Sequence, residues 1–134
     1  MSQFILCKGK STLICSDKID KLQIKNDVFL AEASKVIFPN VNDEDVWSVS
    51  FENIDFDSLC VKAQKELING KKFSETKLSL LLNILVDKVD EIALWYADYF
   101  DDIDEVYDVD IFFNGIETAV KEPTCEVYLH LINT

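Results

Sequence analysis

The sequence predicts an α+β (mixed α/β) fold in which a single sheet of about five strands packs with about four helices. Three observations lead to this prediction. The chain of 134 residues is long enough for one domain with a sizeable core, and we treat residues 1–134 as that domain. Apolar residues make up 49% of it, which argues against disorder. Segments with strand-like and helical periodicity are interleaved in the order ββαβααβαβ.

The first third of the chain is predicted to form a hairpin followed by a helix. Gln3–Lys8 and residues 12–16 are rich in strand-forming side chains and flank a glycine, which predicts two strands joined by a turn. Apolar side chains then recur at helical spacing over residues 28–37, and Pro39 ends that segment. The pattern is typical of an amphipathic helix.

A strand and a second helix are predicted in the middle of the chain. Residues 47–52 alternate between apolar and polar side chains, which predicts a strand with one buried face and one wet face. Asp55 or Asp57 is the predicted N-cap of the helix that follows. Asn69 and Gly70 are predicted to end this helix in a left-handed turn.

The most apolar segment, residues 78–89, is predicted to be a third helix that is buried on most sides, with Ser74 as its N-cap. The next segment, EIALWYA at residues 91–97, is short, and its side chains are mostly apolar at both odd and even positions. It favours a central strand, and continuation of the helix is the alternative.

The last third is predicted to contain an acidic connection, a helix and a strand. Residues 98–108 form the connection, and residues 109–121 have the pattern of a helix that Glu122 and Pro123 end. Apolar and polar side chains then alternate over residues 125–131, which predicts the closing strand.

The cysteines and the apolar runs indicate the cellular compartment. No CxxC pair occurs, so the four cysteines are expected to be small apolar core residues in a reducing compartment. The N-terminal segment lacks the features of a secretory signal, and no apolar run reaches the length of a membrane span. We therefore expect a soluble cytoplasmic protein with no membrane partner. The cysteines are Cys7, Cys15, Cys60 and Cys125.

Negative charge is concentrated in the second half of the chain. The formal net charge is -12. Residues 1–67 hold eight lysines against eleven acids, whereas residues 68–134 hold five lysines against fourteen acids. Arginine is absent from the sequence, and direct phosphate binding needs clusters of basic residues, so nucleic acid is not an expected direct ligand.

The acids are densest where aromatic residues are also frequent. Residues 87–110 hold ten carboxylates and one lysine, interleaved with five aromatic side chains. Crowded carboxylates cost folding stability through repulsion, so their presence beside large rings predicts a surface for a cationic partner. The alternative is that Trp95 and Tyr96 are core residues and that the acids form a solvated turn. The candidate partner-binding residues are Asp98, Tyr99, Phe100, Asp101, Asp102, Asp104, Glu105, Tyr107, Asp108 and Asp110.

Catalytic, metal and cofactor chemistry is not expected. A calcium-binding loop that starts at Asp102 would place Tyr107 where such loops need glycine. A two-metal phosphotransferase built from clustered aspartates remains a minor alternative. His130 is the only histidine, no nucleophile motif accompanies it, and the glycines are too dispersed for a phosphate loop. We therefore expect a non-catalytic protein without metal or cofactor, in which His130 is exposed or structurally hydrogen-bonded.

The C-terminal part of the sequence resembles the immunity proteins of bacterial contact-dependent growth inhibition and related polymorphic toxin systems. The resemblance covers residues 75–132 and includes EIALWYAD, YFDDIDEVYDVD, the predicted helix to Lys121 and CEVYLHL. It implies a cytosolic acidic protein that blocks a cognate cationic toxin domain, commonly a nuclease. The alternative function is an acidic nucleic-acid mimic that inhibits a phage-defence effector.

Overall fold

The computed structural model describes residues 3–9, 17–24, 28–39, 41–52, 54–96 and 103–132. Six strands and four helices occur in these ranges. In chain order they are β1 (Gln3–Lys8), β2 (Ile19–Gln23), α1 (Val28–Ile37), β3 (Val46–Phe51), α2 (Phe56–Ile68), α3 (Lys77–Val86), β4 (Glu91–Tyr96), β5 (Asp104–Val106), α4 (Val109–Val120) and β6 (Leu129–Ile132).

One mixed sheet holds all six described strands, in the order β2-β3-β1-β4-β6-β5. Every neighbouring pair is antiparallel except β5 and β6, which run parallel. The predicted α+β class is therefore confirmed, with one strand more than expected. β1 does not pair as the predicted N-terminal hairpin requires, because the two neighbours of β1 in the sheet are β3 and β4. Residues 12–16 lie outside the described residues.

Helices cover both faces of the sheet. The side chains of α2, α3 and α4 form a large core with one face, to which β1 contributes Ile5 and Cys7. On the opposite face α1 forms a smaller core with Leu6 of β1 and Trp95 of β4. This second core explains why Ser48 and Ser50 of β3 are half-buried, although the sequence predicted a wet face for them.

The helices begin at side-chain caps that satisfy their first backbone amides. Asp55 caps α2 as predicted, and its Oδ1 accepts a hydrogen bond from the Ser58 amide at 2.7 Å. The predicted cap of α3 was wrong, because Ser74 lies in a preceding 3-10 turn and Thr76 is the cap. The Thr76 hydroxyl donates to the Phe73 carbonyl at 2.7 Å, which holds its oxygen in reach of the helix. No helix within the described ranges has the length and apolar character needed to cross a membrane.

Central strand β4 confirms the strand interpretation of EIALWYA, since it pairs with β1 on one side and β6 on the other. Its side chains alternate between the two cores, and Trp95 is fully buried. Cys7, Cys60 and Cys125 are buried in the large core, as predicted, and burial raises the pKa of each thiol. Cys15 lies outside the described residues.

Candidate partner-binding surface

Strand β5 brings part of the acidic segment to one edge of the sheet. The Asp104 amide donates to the Tyr128 carbonyl at 3.0 Å, at the start of the parallel pairing with β6. Val106 packs against the large core, while Asp104 and Glu105 are exposed. One apolar residue therefore anchors a strand whose other side chains are carboxylates at the surface.

Tyr107 follows β5 directly and presents its ring to solvent. The side chain is 69% exposed. Its hydroxyl donates a hydrogen bond to Glu105 Oε2 at 2.8 Å. Because the Glu105 carboxylate accepts this bond and its charge disfavours a phenolate, the pKa of Tyr107 is raised. The bond limits the orientations of an exposed aromatic ring, which lowers the entropy cost of using that ring as a contact.

The N-terminus of α4 continues this surface. Asp108 is its N-cap, and its Oδ1 accepts hydrogen bonds from the amides of Asp110 at 2.8 Å and Ile111 at 3.2 Å. Asp110 is exposed in the first turn, where the helix dipole stabilises negative charge. The structure thus brings five predicted residues to one edge of the sheet, which we call the acidic surface and define as Asp104, Glu105, Tyr107, Asp108 and Asp110. Successive strand side chains alternate, so Asp104 points to the α4 face of this edge, whereas Glu105, which binds the Tyr107 hydroxyl, points to the α1 face.

No described lysine forms an ion pair with a carboxylate of the acidic surface. The lysine–carboxylate pairs among the described residues are Lys8–Glu91, Lys71–Glu66, Lys77–Glu52 and Lys121–Glu117. The acidic surface therefore combines an exposed ring with carboxylates that no described lysine neutralises.

The other half of the predicted site is not described. Asp98, Tyr99, Phe100, Asp101 and Asp102 all lie outside the described residues. Their part in partner binding stays a prediction.

Sequence reasoning missed Ile111, which belongs to the same surface region. Its side chain is 57% exposed, in the first turn of α4. The signal was present in the helical pattern, because Phe112, Ile116 and Val120 form the buried stripe of α4 and Ile111 falls outside it. An exposed aliphatic side chain that lines the same hollow as Asp104 adds apolar contact area to an otherwise charged surface.

Two open grooves lie along α4, on either side of Asn114. The first, the α4–β6 groove, has a volume of about 500 Å³. The second, the α2–α4 groove, has a volume of about 660 Å³. They differ in charge: Asp104 and Glu126 line the first, whereas Lys71, Lys72 and Lys121 line the second together with Asp110 and Glu117.

His130 occupies a structural position on the α1 face of the sheet, the same face as Glu105, its partner in the pairing of β5 with β6. It is 6% exposed, its Nε2 lies 2.9 Å from Glu91 Oε1, and Phe38 contacts its ring edge-on. Lys8 Nζ lies 2.9 Å from the other oxygen of Glu91. The prediction of a structurally hydrogen-bonded histidine is confirmed. Within the described ranges no three His, Cys, Asp or Glu side chains are grouped to hold a metal ion.

No protein-family model matches this chain, and neither a curated protein nor a solved structure does. The function therefore has to be inferred from the surface chemistry. Two features of that chemistry stand out, the exposed ring of Tyr107 and the carboxylates around it that lack described cations.

Proposed function

We propose that this protein is a non-catalytic immunity protein that binds a cognate cationic toxin domain and covers its active-site or substrate surface. The acidic surface is the proposed contact. The observation that carries the proposal is the exposed Tyr107 ring, held by Glu105 among carboxylates that no described lysine neutralises. The resemblance of residues 75–132 to immunity proteins supports the same class.

The two components of the acidic surface would act at different stages of binding. Carboxylates attract a basic partner at long range and increase the rate of association. Exposed apolar groups such as Tyr107 and Ile111 become buried only in the final complex, where they slow dissociation. Charge and aromatic area together therefore suit an inhibitor that associates rapidly and dissociates slowly.

A nuclease is the proposed toxin because its substrate is a polyanion. A surface that binds phosphates carries lysine and arginine side chains, and a surface of carboxylates is complementary to it. Occupation of that surface by the acidic protein would exclude the nucleic acid. The proposed compartment is the cytoplasm, where such a toxin meets its substrate and where the free thiols of Cys7, Cys60 and Cys125 would stay reduced.

The test is affinity capture with three baits: the wild-type protein, Asp104→Asn/Glu105→Gln/Asp110→Asn, and a control with the same change of net charge. The control is Glu75→Gln/Asp87→Asn/Glu122→Gln, which alters exposed acids outside the acidic surface. The captured protein is identified by mass spectrometry, purified and assayed for nuclease activity.

We expect the wild-type and control baits to retain the same basic protein and to inhibit it at equimolar ratio. The acidic-surface variant should retain much less of it. Full nuclease activity of the captured protein in the saturated complex would contradict the proposal. Capture of a phage-defence effector in its place would support the nucleic-acid mimic.

A further inference from the structure

The α4–β6 groove begins where the acidic surface ends. Asp104 and Ile111 belong to the border of both. From there the groove follows α4 past Asn114 and Thr118 towards Ala119. A partner that contacts Asp104 on the acidic surface would therefore meet this groove next.

Within the groove, α4 lies very close to β6 at a single glycine, Gly115. A Cβ atom added to Gly115 would come within 2.8 Å of Leu129 Cδ1. Real Cβ contacts are longer, so the absence of a side chain at Gly115 allows the helix to rest on Leu129. Leu129, Val127 and Ala119 supply apolar lining to the groove.

The polar groups of the groove accept hydrogen bonds from a cation more readily than they supply them to an anion. Its two charged residues are the carboxylates of Asp104 and Glu126, and lysine is absent from its described lining. The Thr118 hydroxyl already donates to the Asn114 carbonyl at 2.9 Å. The Tyr128 hydroxyl already donates to Glu126 Oε2 at 3.3 Å. Both carboxylates keep further acceptor positions, since each oxygen accepts more than one bond.

The opposite side of α4 attracts a basic side chain less strongly. Lys71, Lys72 and Lys121 line the α2–α4 groove together with Asp110 and Glu117, and Glu117 is already paired with Lys121. A basic segment that crosses α4 is therefore attracted more to the α4–β6 groove than to the α2–α4 groove. This difference defines one orientation of the partner on the helix.

We propose that the α4–β6 groove binds an arginine side chain from an extended basic segment of the partner. The aliphatic stem would lie against Ile111 and Ala119, and the guanidinium would face Asp104 and Glu126. Arginine fits this lining better than lysine, because its head is more weakly hydrated and carries five donors. The inference rests on the proposed function and deepens it by naming the side chain that the partner supplies.

The probe for this site is the blocked tripeptide Ac-Arg-Leu-Arg-NH2, titrated into the full-length protein and followed by amide NMR shifts. Ac-Lys-Leu-Lys-NH2 and Ac-Glu-Leu-Glu-NH2 are the comparison peptides. We expect the arginine peptide to shift the amides of Ile111, Asn114, Thr118 and Leu129 most. The lysine peptide should bind more weakly at the same amides, and the glutamate peptide should shift none of them.

Two matched double variants separate groove binding from attraction to net charge. Asp104→Asn/Glu126→Gln removes both groove carboxylates and should weaken the arginine peptide about fivefold to tenfold, since each exposed ion pair contributes up to about 1 kcal/mol. Asp87→Asn/Glu122→Gln removes the same charge outside the groove, and its effect should stay below about twofold because salt screens distant charges. Thr118→Arg fills the groove from within and should also reduce binding, with folding checked by circular dichroism.

The result that overturns the inference is equal weakening by the two double variants, or shifts spread evenly over the acids of the protein. Failure of the proposed function has a different signature. If the peptide binds in the groove but no nuclease is neutralised, the groove assignment stands and the immunity function fails. If groove variants still neutralise a captured nuclease at wild-type affinity while Tyr107→Ala does not, the immunity function stands and the groove assignment fails.

Discussion

Two charged surfaces of this protein use their acids differently. Between α2 and α3, Glu66 lies 3.5 Å from Lys71, and Glu52 next to them lies 2.9 Å from Lys77. The Lys77 ammonium holds the pKa of Glu52 below its usual value. On the acidic surface the carboxylates have no described cation, and their recorded partners are backbone amides and the Tyr107 hydroxyl.

The difference indicates which charges are available to a partner. A carboxylate paired with a lysine adds little net field, and its pair must be broken before it binds another cation. A carboxylate without a cation keeps its field and its acceptor positions. We therefore assign partner recognition to the acidic surface and a structural role to the paired surface formed by Glu52, Glu66, Lys71 and Lys77.

The largest effect is expected from Tyr107→Ala. Loss of this ring should weaken binding of the captured partner by about 2 kcal/mol or more, mainly through faster dissociation. The free energy of unfolding should change by less than about 0.5 kcal/mol, because the side chain is exposed. Ile68→Ala on α2 removes another exposed apolar side chain and is the control. Equal losses of affinity in both variants, measured by surface plasmon resonance, would remove the distinction between the surfaces.

Asp108 should separate the structural use of a carboxylate from its use in binding. Asp108→Ala loses the N-cap of α4 and should cost about 1 kcal/mol of unfolding free energy in urea titrations. Asp108→Asn keeps a good cap while removing the charge, so stability should stay close to wild type and association should slow. If Asp108→Asn is as unstable as Asp108→Ala, the negative charge at the helix N-terminus is what stabilises α4.

Much of this architecture was predictable from periodicity, because long regular segments carry their own signal. The residues of β4 and α4 were assigned correctly from their apolar patterns. β5 was missed because it has three residues, two of them acids, and its formation depends on parallel pairing with β6. The cap of α3 was misplaced because Ser74 and Thr76 are both good caps, and the 3-10 turn at Phe73–Glu75, which includes Ser74, leaves Thr76 as the cap.

The sequence predicted which residue types the candidate site contains. It did not predict which of its carboxylates are paired with lysines. The sequence showed that acids and aromatic residues share a segment, and it placed Tyr107 among them. Which acids are neutralised depends on contacts between distant residues, such as Lys77 with Glu52 and Lys8 with Glu91. The α4–β6 groove includes the close packing of Gly115 on Leu129, and no local pattern predicts that packing.

A smaller effect is expected on the ionisation of Tyr107. Its pKa is raised because Glu105 accepts its hydrogen bond, so Glu105→Gln should lower that pKa. The folded protein keeps this proton at a pH where the unfolded chain loses it, so this contact contributes fully to stability below about pH 10 and loses that contribution as pH rises from there through the raised pKa of the folded protein. NMR titration of the Tyr107 ring in wild type and Glu105→Gln measures the shift, and Glu126→Gln is the control. An unchanged pKa would mean that the hydrogen bond does not persist in solution.

The most direct measurement compares association rates of the captured partner at low and high ionic strength for two triple variants. Asp104→Asn/Glu105→Gln/Asp110→Asn removes the charge of the acidic surface, whereas Glu52→Gln/Glu66→Gln/Glu117→Gln removes the same charge from paired acids. We expect the first variant to associate more slowly and with a smaller dependence on salt, while the second behaves like wild type. Equal rates and equal salt dependence in the two variants would contradict the assignment of partner recognition to the acidic surface.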